Sequence, residues 1–168
     1  MTKRQGLLRY FVLAALMCAL GFASMAQAAE EGGFPSAGPN LRDQASLQRG
    51  ARLFFNYCVG CHSLKYMRYS RIGEDLGLTE AEVMTSLNFT GAKYGEPVVS
   101  AMPADLAVTW FGKDPPDLSL EVEAKGADWV NAYLNSFYLD PSVPLGWNNT
   151  VLPNAAMPFP LWELQGMQ

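Results

Sequence analysis

Residues 54–69 read FFNYCVGCHSLKYMRY, with two residues between Cys58 and Cys61 and His62 directly after them. His62 is the only histidine in 168 residues, and the chain holds three cysteines in all. A chain this sparing with both residue types puts them on one turn. Two thiols at this spacing can add across the two vinyl groups of a porphyrin. The next residue then lies under the ring with an imidazole nitrogen for the iron. One covalent haem c, held through Cys58 and Cys61 with His62 as proximal ligand, is the first expectation. It constrains the fold more than any other feature, because a ring fixed at one turn has to be enclosed by the rest of the chain.

Three other uses of these residues fit less well. A thioredoxin-like redox pair needs a strand before the motif and a helix after it, whereas here the helical pattern comes first. A structural zinc site takes about four Cys or His ligands, and beyond residue 29 the chain has Cys58, Cys61 and His62 alone. A plain disulfide accounts for the cysteines but not for the adjacent histidine.

The first 29 residues carry Lys3, Arg4 and Arg9, then an uncharged run from Tyr10 to Ala23, then Ala26-Gln27-Ala28. A basic start, a short apolar stretch and small residues at peptidase spacing predict a signal peptide over 1–29. The apolar run falls short of the about 20 residues a membrane span needs. Export agrees with covalent haem attachment, which takes place outside the bacterial cytoplasm. Removal of this segment leaves nine basic against 16 acidic residues, a net charge of −7. Such a surface excludes nucleic acid as a partner, since phosphate contacts need clustered Lys and Arg. It suits a basic protein partner drawn in by long-range attraction.

The remainder, 30–168, is expected to be one haem domain. Residues 30–41 are rich in Gly and Pro and predict an extended lead-in. Leu47, Ala51, Phe54, Phe55 and Cys58 recur three and four apart, which predicts a helix over 42–57 with one apolar face. Gly50 on that helix is expected to admit another helix closely, and Gly60 to suit a tight turn against the ring. Thr79 and Glu82 fit a capping box, opening a helix over 80–88. A long irregular stretch follows. A further helix is expected over 128–138, with Trp129, Tyr133 and Phe137 on one side and Pro141 barring its continuation. No strand alternation stands out, and the proline-rich tail shows no helical pattern. The fold class is therefore mainly α, with long loops that need a cofactor to pack around.

With no second histidine, the other face of the iron calls for a different ligand, and a methionine thioether is the natural one. Met67 lies too near His62, and Met84 falls inside a helix. Met102 and Met157 each precede a proline in irregular chain, 40 and 95 residues after His62. Spacing leaves these two open.

Taken together, RGARLFFNYCVGCHSLKYMRYSRIG, GKDPPDLSLE, ADWVNAYLNSFYLDP, GWNN and PNAAMPFPLWELQG resemble the cytochrome c1 family, the haem subunits of the ubiquinol–cytochrome c oxidoreductase (cytochrome bc1) complex. The resemblance covers most of 48–166 and implies a c-type cytochrome fold wrapped around one covalent haem. Within PNAAMPFP, Met157 matches the family's axial methionine. Pro115 and Pro116 match the proline pair that packs on the ring, and Met67-Arg68-Tyr69 the segment just after the haem site. Where the family has an arginine near a haem propionate, this chain has Lys125, which lacks the forked geometry.

The resemblance further implies one-electron transfer from a Rieske iron–sulfur protein to a soluble cytochrome c. The subunit would stand beside cytochrome b on the periplasmic side of the bacterial inner membrane, with no catalytic site of its own. A free-standing periplasmic c-type cytochrome is the alternative. The family continues past the methionine into a packing helix and a C-terminal membrane span. This chain ends at Gln168, so the expectation is a truncated piece, with membrane association implied by the family and not encoded in these residues.

Overall fold

Asp43 starts the first helix. Its carboxylate accepts the Ser46 N–H at 3.0 Å, satisfying a donor that the helix itself leaves free. The helix α1 then runs Gln44–Tyr57. The structure is a computed structural model that describes residues 33–167, so the predicted export segment over 1–29 lies outside the described residues. Every element below belongs to the unit Pro35–Gln168.

After α1 come β1 (Leu64–Arg68), α2 (Tyr69–Leu76), α3 (Glu80–Ser86), β2 (Pro97–Val98) and α4 (Ala104–Phe111). They are followed by α5 (Glu121–Lys125), α6 (Ala127–Leu134), β3 (Phe137–Leu139), β4 (Trp147–Asn149) and α7 (Trp162–Gln165). The described residues thus hold seven helices and four strands. No described helix is long and apolar enough to cross a membrane.

The apolar face read from the periodicity of α1 is the one buried. Phe55 and Val59 lie in a core with Tyr69, Ile72, Val83 and Val98, and Leu47, Ala51 and Phe54 pack against it. The capping box at Thr79 forms in both directions. Thr79 N–H donates to Glu82 Oε2 at 2.8 Å, and Glu82 N–H to Thr79 Oγ at 3.3 Å. Gly50 does not serve close helix packing, since a Cβ there would meet nothing within 4 Å.

The strands were not expected. β1 and β2 pair antiparallel with an irregular register, Leu64 opposite Val98 and Arg68 opposite Pro97. β3 and β4 form a regular hairpin, Phe137 opposite Asn149 and Leu139 opposite Trp147. The helix expected over 128–138 ends at Leu134, well before Pro141. Asn135 Nδ2 donates to the Asn131 carbonyl at 2.8 Å, a local bond that competes with the helix ladder, and the next three aromatic and aliphatic residues pair with β4 instead. Helices α2, α4, α5 and α7 lie where no periodicity marked them.

A second, aromatic core joins this hairpin to α6 and the tail. Trp129 stacks on Tyr133 (5.2 Å between centroids, 6°), and Tyr133 meets Phe137 edge-on at 5.1 Å. Phe137 stacks on Phe159 at 5.0 Å. Trp129, Tyr133 and Phe137 therefore do share one side, although Phe137 reaches it from a strand.

Candidate functional site

The cysteine turn is built by the end of α1. Cys58 N–H continues the helix by donating to the Phe54 carbonyl at 2.8 Å. Cys61 and His62 N–H then both donate to the Cys58 carbonyl, at 3.0 and 2.8 Å. These bonds close Cys58, Cys61 and His62 into one turn anchored to a rigid helix. No disulfide joins the two cysteines. Burial and the neighbouring Cys61 push the Cys58 thiol up to about 11, and burial raises Cys61 as well. A redox-active pair wants the opposite, a lowered thiol pKa.

His62 is 9% exposed, and its Nδ1 lies 2.8 Å from the Pro116 carbonyl oxygen. A carbonyl can only accept, so Nδ1 is the donor here, which in the neutral ring leaves Nε2 as the nitrogen with a lone pair. The loop that brings Pro115 and Pro116 there is fixed alongside β1. Leu118 N–H donates to the Ser63 carbonyl at 2.9 Å, Lys65 N–H to Asp117 Oδ2 at 2.9 Å and Tyr66 N–H to Ser119 Oγ at 3.1 Å. A strap from β2 grips the same turn, with Ser100 N–H donating to Ser63 Oγ and Ser100 Oγ to the Gly60 carbonyl, both at 2.8 Å. Met102 hangs from that strap through its N–H to Ser100 Oγ at 3.1 Å.

Met157 stands elsewhere, with the aromatic core. Tyr133 Oη is 3.4 Å from its sulfur. Burial pushes the Tyr133 phenol up to about 12, so the hydroxyl keeps its proton. Lys125, at the end of α5, sets Nζ 5.4 Å above the Trp129 ring, a cation–π contact. The seven residues singled out from sequence thus fall into two groups. Cys58, Cys61 and His62 form the cysteine turn, with the Pro116 carbonyl against His62 and Pro115 next to it in sequence, while Met157 and Lys125 attach to the aromatic core.

Three further residues shape the site and were not singled out for it. Asn149 is fully buried, donates Nδ2 to the Tyr133 carbonyl at 2.8 Å and accepts the N–H groups of Val151 (2.9 Å) and Leu152 (3.0 Å) on Oδ1. Asn148 accepts the Asn154 N–H at 2.8 Å and donates Nδ2 to Asp140 at 2.9 Å. Together they fix the loop that leads to Met157. Tyr133 is the third, through its bond to the sulfur. The sequence signal for the first two is the Asn-Asn pair ahead of an irregular loop, since asparagine side chains bond nearby backbone.

Free thiols, a histidine whose Nδ1 is taken up by a carbonyl and a thioether on a fixed loop are a donor set that fits haem c. The fold is that of a mainly α c-type cytochrome with long loops. The sequence model of the Cytochrome C1 family matches residues 39–165. The chain belongs to that family. It is 53% identical over 133 residues to cytochrome c1 of Allochromatium vinosum, a match over 79% of this chain and 54% of that protein. It is also 45% identical over 126 residues to a protein named ammonia monooxygenase gamma subunit from Nitrosomonas europaea, over 75% of this chain and 53% of that one. The chain spans about half the length of these curated relatives.

Proposed function

We propose that the chain is the haem-bearing part of an electron-transfer subunit of a ubiquinol–cytochrome c oxidoreductase, exported and working on the periplasmic side of the bacterial inner membrane. Cys58 and Cys61 would carry the thioether links, and His62, through Nε2, and Met157 would be the protein ligands of the iron. Pro115 and Pro116 pack on the ring, and Lys125 offsets a propionate. When bound, haem c supplies a one-electron Fe(III)/Fe(II) couple.

The observation that carries this reading is the His62 Nδ1 bond to the Pro116 carbonyl. It orients the imidazole and leaves the nitrogen that a metal needs, directly after two thiols at attachment spacing. The reading of Met157 rather than Met102 rests on PNAAMPFP, the stretch that matches the family's axial methionine. With His62 and Met157 both as ligands the iron would have no open position, and this chain's residues would hold and tune the group. Electrons are taken to arrive from a Rieske iron–sulfur protein beside cytochrome b and to leave to a soluble cytochrome c.

The test is an optical spectrum of the protein matured in a haem-competent host, oxidised and reduced, with and without carbon monoxide. The expected result is a covalent haem c spectrum that carbon monoxide does not alter. A colourless product with Cys58 and Cys61 joined as a disulfide overturns the assignment. For the partners, cytochrome b and Rieske subunits are expected on isolation from the native membrane. Isolation with a monooxygenase instead, as the second relative's name suggests, would overturn that part.

A further inference from the structure

Tyr133 holds a buried-side hydroxyl that the assignment above leaves unused. Its ring cannot swing away, being stacked on Trp129, edge-on to Phe137 and tied by its own carbonyl to the buried Asn149. A phenol held among aromatic rings has to find an acceptor, and the one within reach is the Met157 sulfur at 3.4 Å. The direction of the bond is fixed, because a thioether has no proton to give.

We propose that Tyr133 is a positioning residue acting through Met157: its hydroxyl occupies one sulfur lone pair, turns the other towards the iron and weakens the sulfur as an electron donor, which raises the reduction potential. The proposal rests on the reading of Met157 as an iron ligand. The sign follows from electrostatics. The positive end of the O–H dipole points at the sulfur, so it disfavours the extra positive charge of the ferric state relative to the ferrous one. The opposite arrangement, a sulfur facing only apolar atoms, would donate more strongly and hold ferric iron better.

Tyr133→Phe isolates the hydroxyl, since phenylalanine keeps the ring in both aromatic contacts. The variant is expected to show a lower midpoint potential than the wild type. Its ferric form is expected to keep the red charge-transfer band of thioether ligation and to bind imidazole more weakly. An unchanged potential, or tighter imidazole binding, would overturn the proposal, because a hydroxyl acting only as a strut loosens the loop when removed. If the wild type itself lacks the band, Met157 is not the ligand and the underlying reading fails, which is a different outcome. Should the variant yield no holoprotein, proton NMR of the reduced wild type decides. A slowly exchanging Tyr133 hydroxyl proton close in space to the Met157 methyl is expected, and its absence sinks the proposal.

Discussion

Met157 and Asn149 show how differently single residues can matter to one site. Met157→Leu keeps bulk and loses the thioether, so the haem-loaded variant is expected to have a sharply lower potential and to bind carbon monoxide, both read optically. Asn149→Ala removes a buried side chain that serves the Tyr133 carbonyl and two loop N–H groups. Leaving buried polar groups unbonded costs about 1–3 kcal/mol each. A loss of about 2 kcal/mol in denaturant unfolding is expected, with weaker thioether ligation at equal haem content. Asp140 offers a pH test. Bonds from Asn148 and Ser142 lower its pKa from the usual carboxylate value. Stability from these bonds is therefore present above the ordinary carboxylate range and is lost as pH falls through the lowered value. The melting temperature of Asp140→Ala is expected to lie below wild type at neutral pH, and the gap to close under acid conditions.

Among the elements, those written in local chemistry were readable in advance. The face of α1 follows from residues three and four apart, and the cap of α3 from Thr79 and Glu82. α4 was not, because Ala104–Phe111 is apolar nearly throughout and carries no period. The strands were not, because β2 is two residues long and β3 three, too short for alternation to register. The site divides the same way. As expectations, Cys58, Cys61 and His62 rest on spacing along the chain, whereas Met157 was separated from Met102 only by family resemblance. Tyr133, Asn148 and Asn149 gain their roles from packing between distant segments, which no local pattern records. The end of α2 gives an element-scale test. Gly77 closes it in the left-handed region at φ 60°, where Leu78 N–H returns to the Gly73 carbonyl at 2.9 Å. A Cβ there would also stand 2.5 Å from Gln44 Nε2. Gly77→Ala is expected to cost about 1–2 kcal/mol, measured by urea unfolding.

Over the whole molecule, two cores are joined by loops with little secondary structure of their own. The core of α1, α2 and α3 is apolar. The loops around the cysteine turn and Met157 need something to enclose. Protein matured without haem is therefore expected to keep slow amide exchange in α1–α3 and to lose protection over 112–120 and 150–161. Equal protection with and without haem would contradict that division. The net charge of −7 beyond residue 29 predicts that electron transfer to a basic acceptor slows as ionic strength rises, because screening shortens the reach of the attraction.

The asparagine pair grips the segment after β4 through main-chain atoms only, at Val151, Leu152 and Asn154. A strap fastened by its spine is indifferent to most of what it wears outward. Leu152 and Pro153, both turned to solvent, are thus free to change character, and with them whatever surface the domain offers a visitor, while the sulfur is delivered to the same spot.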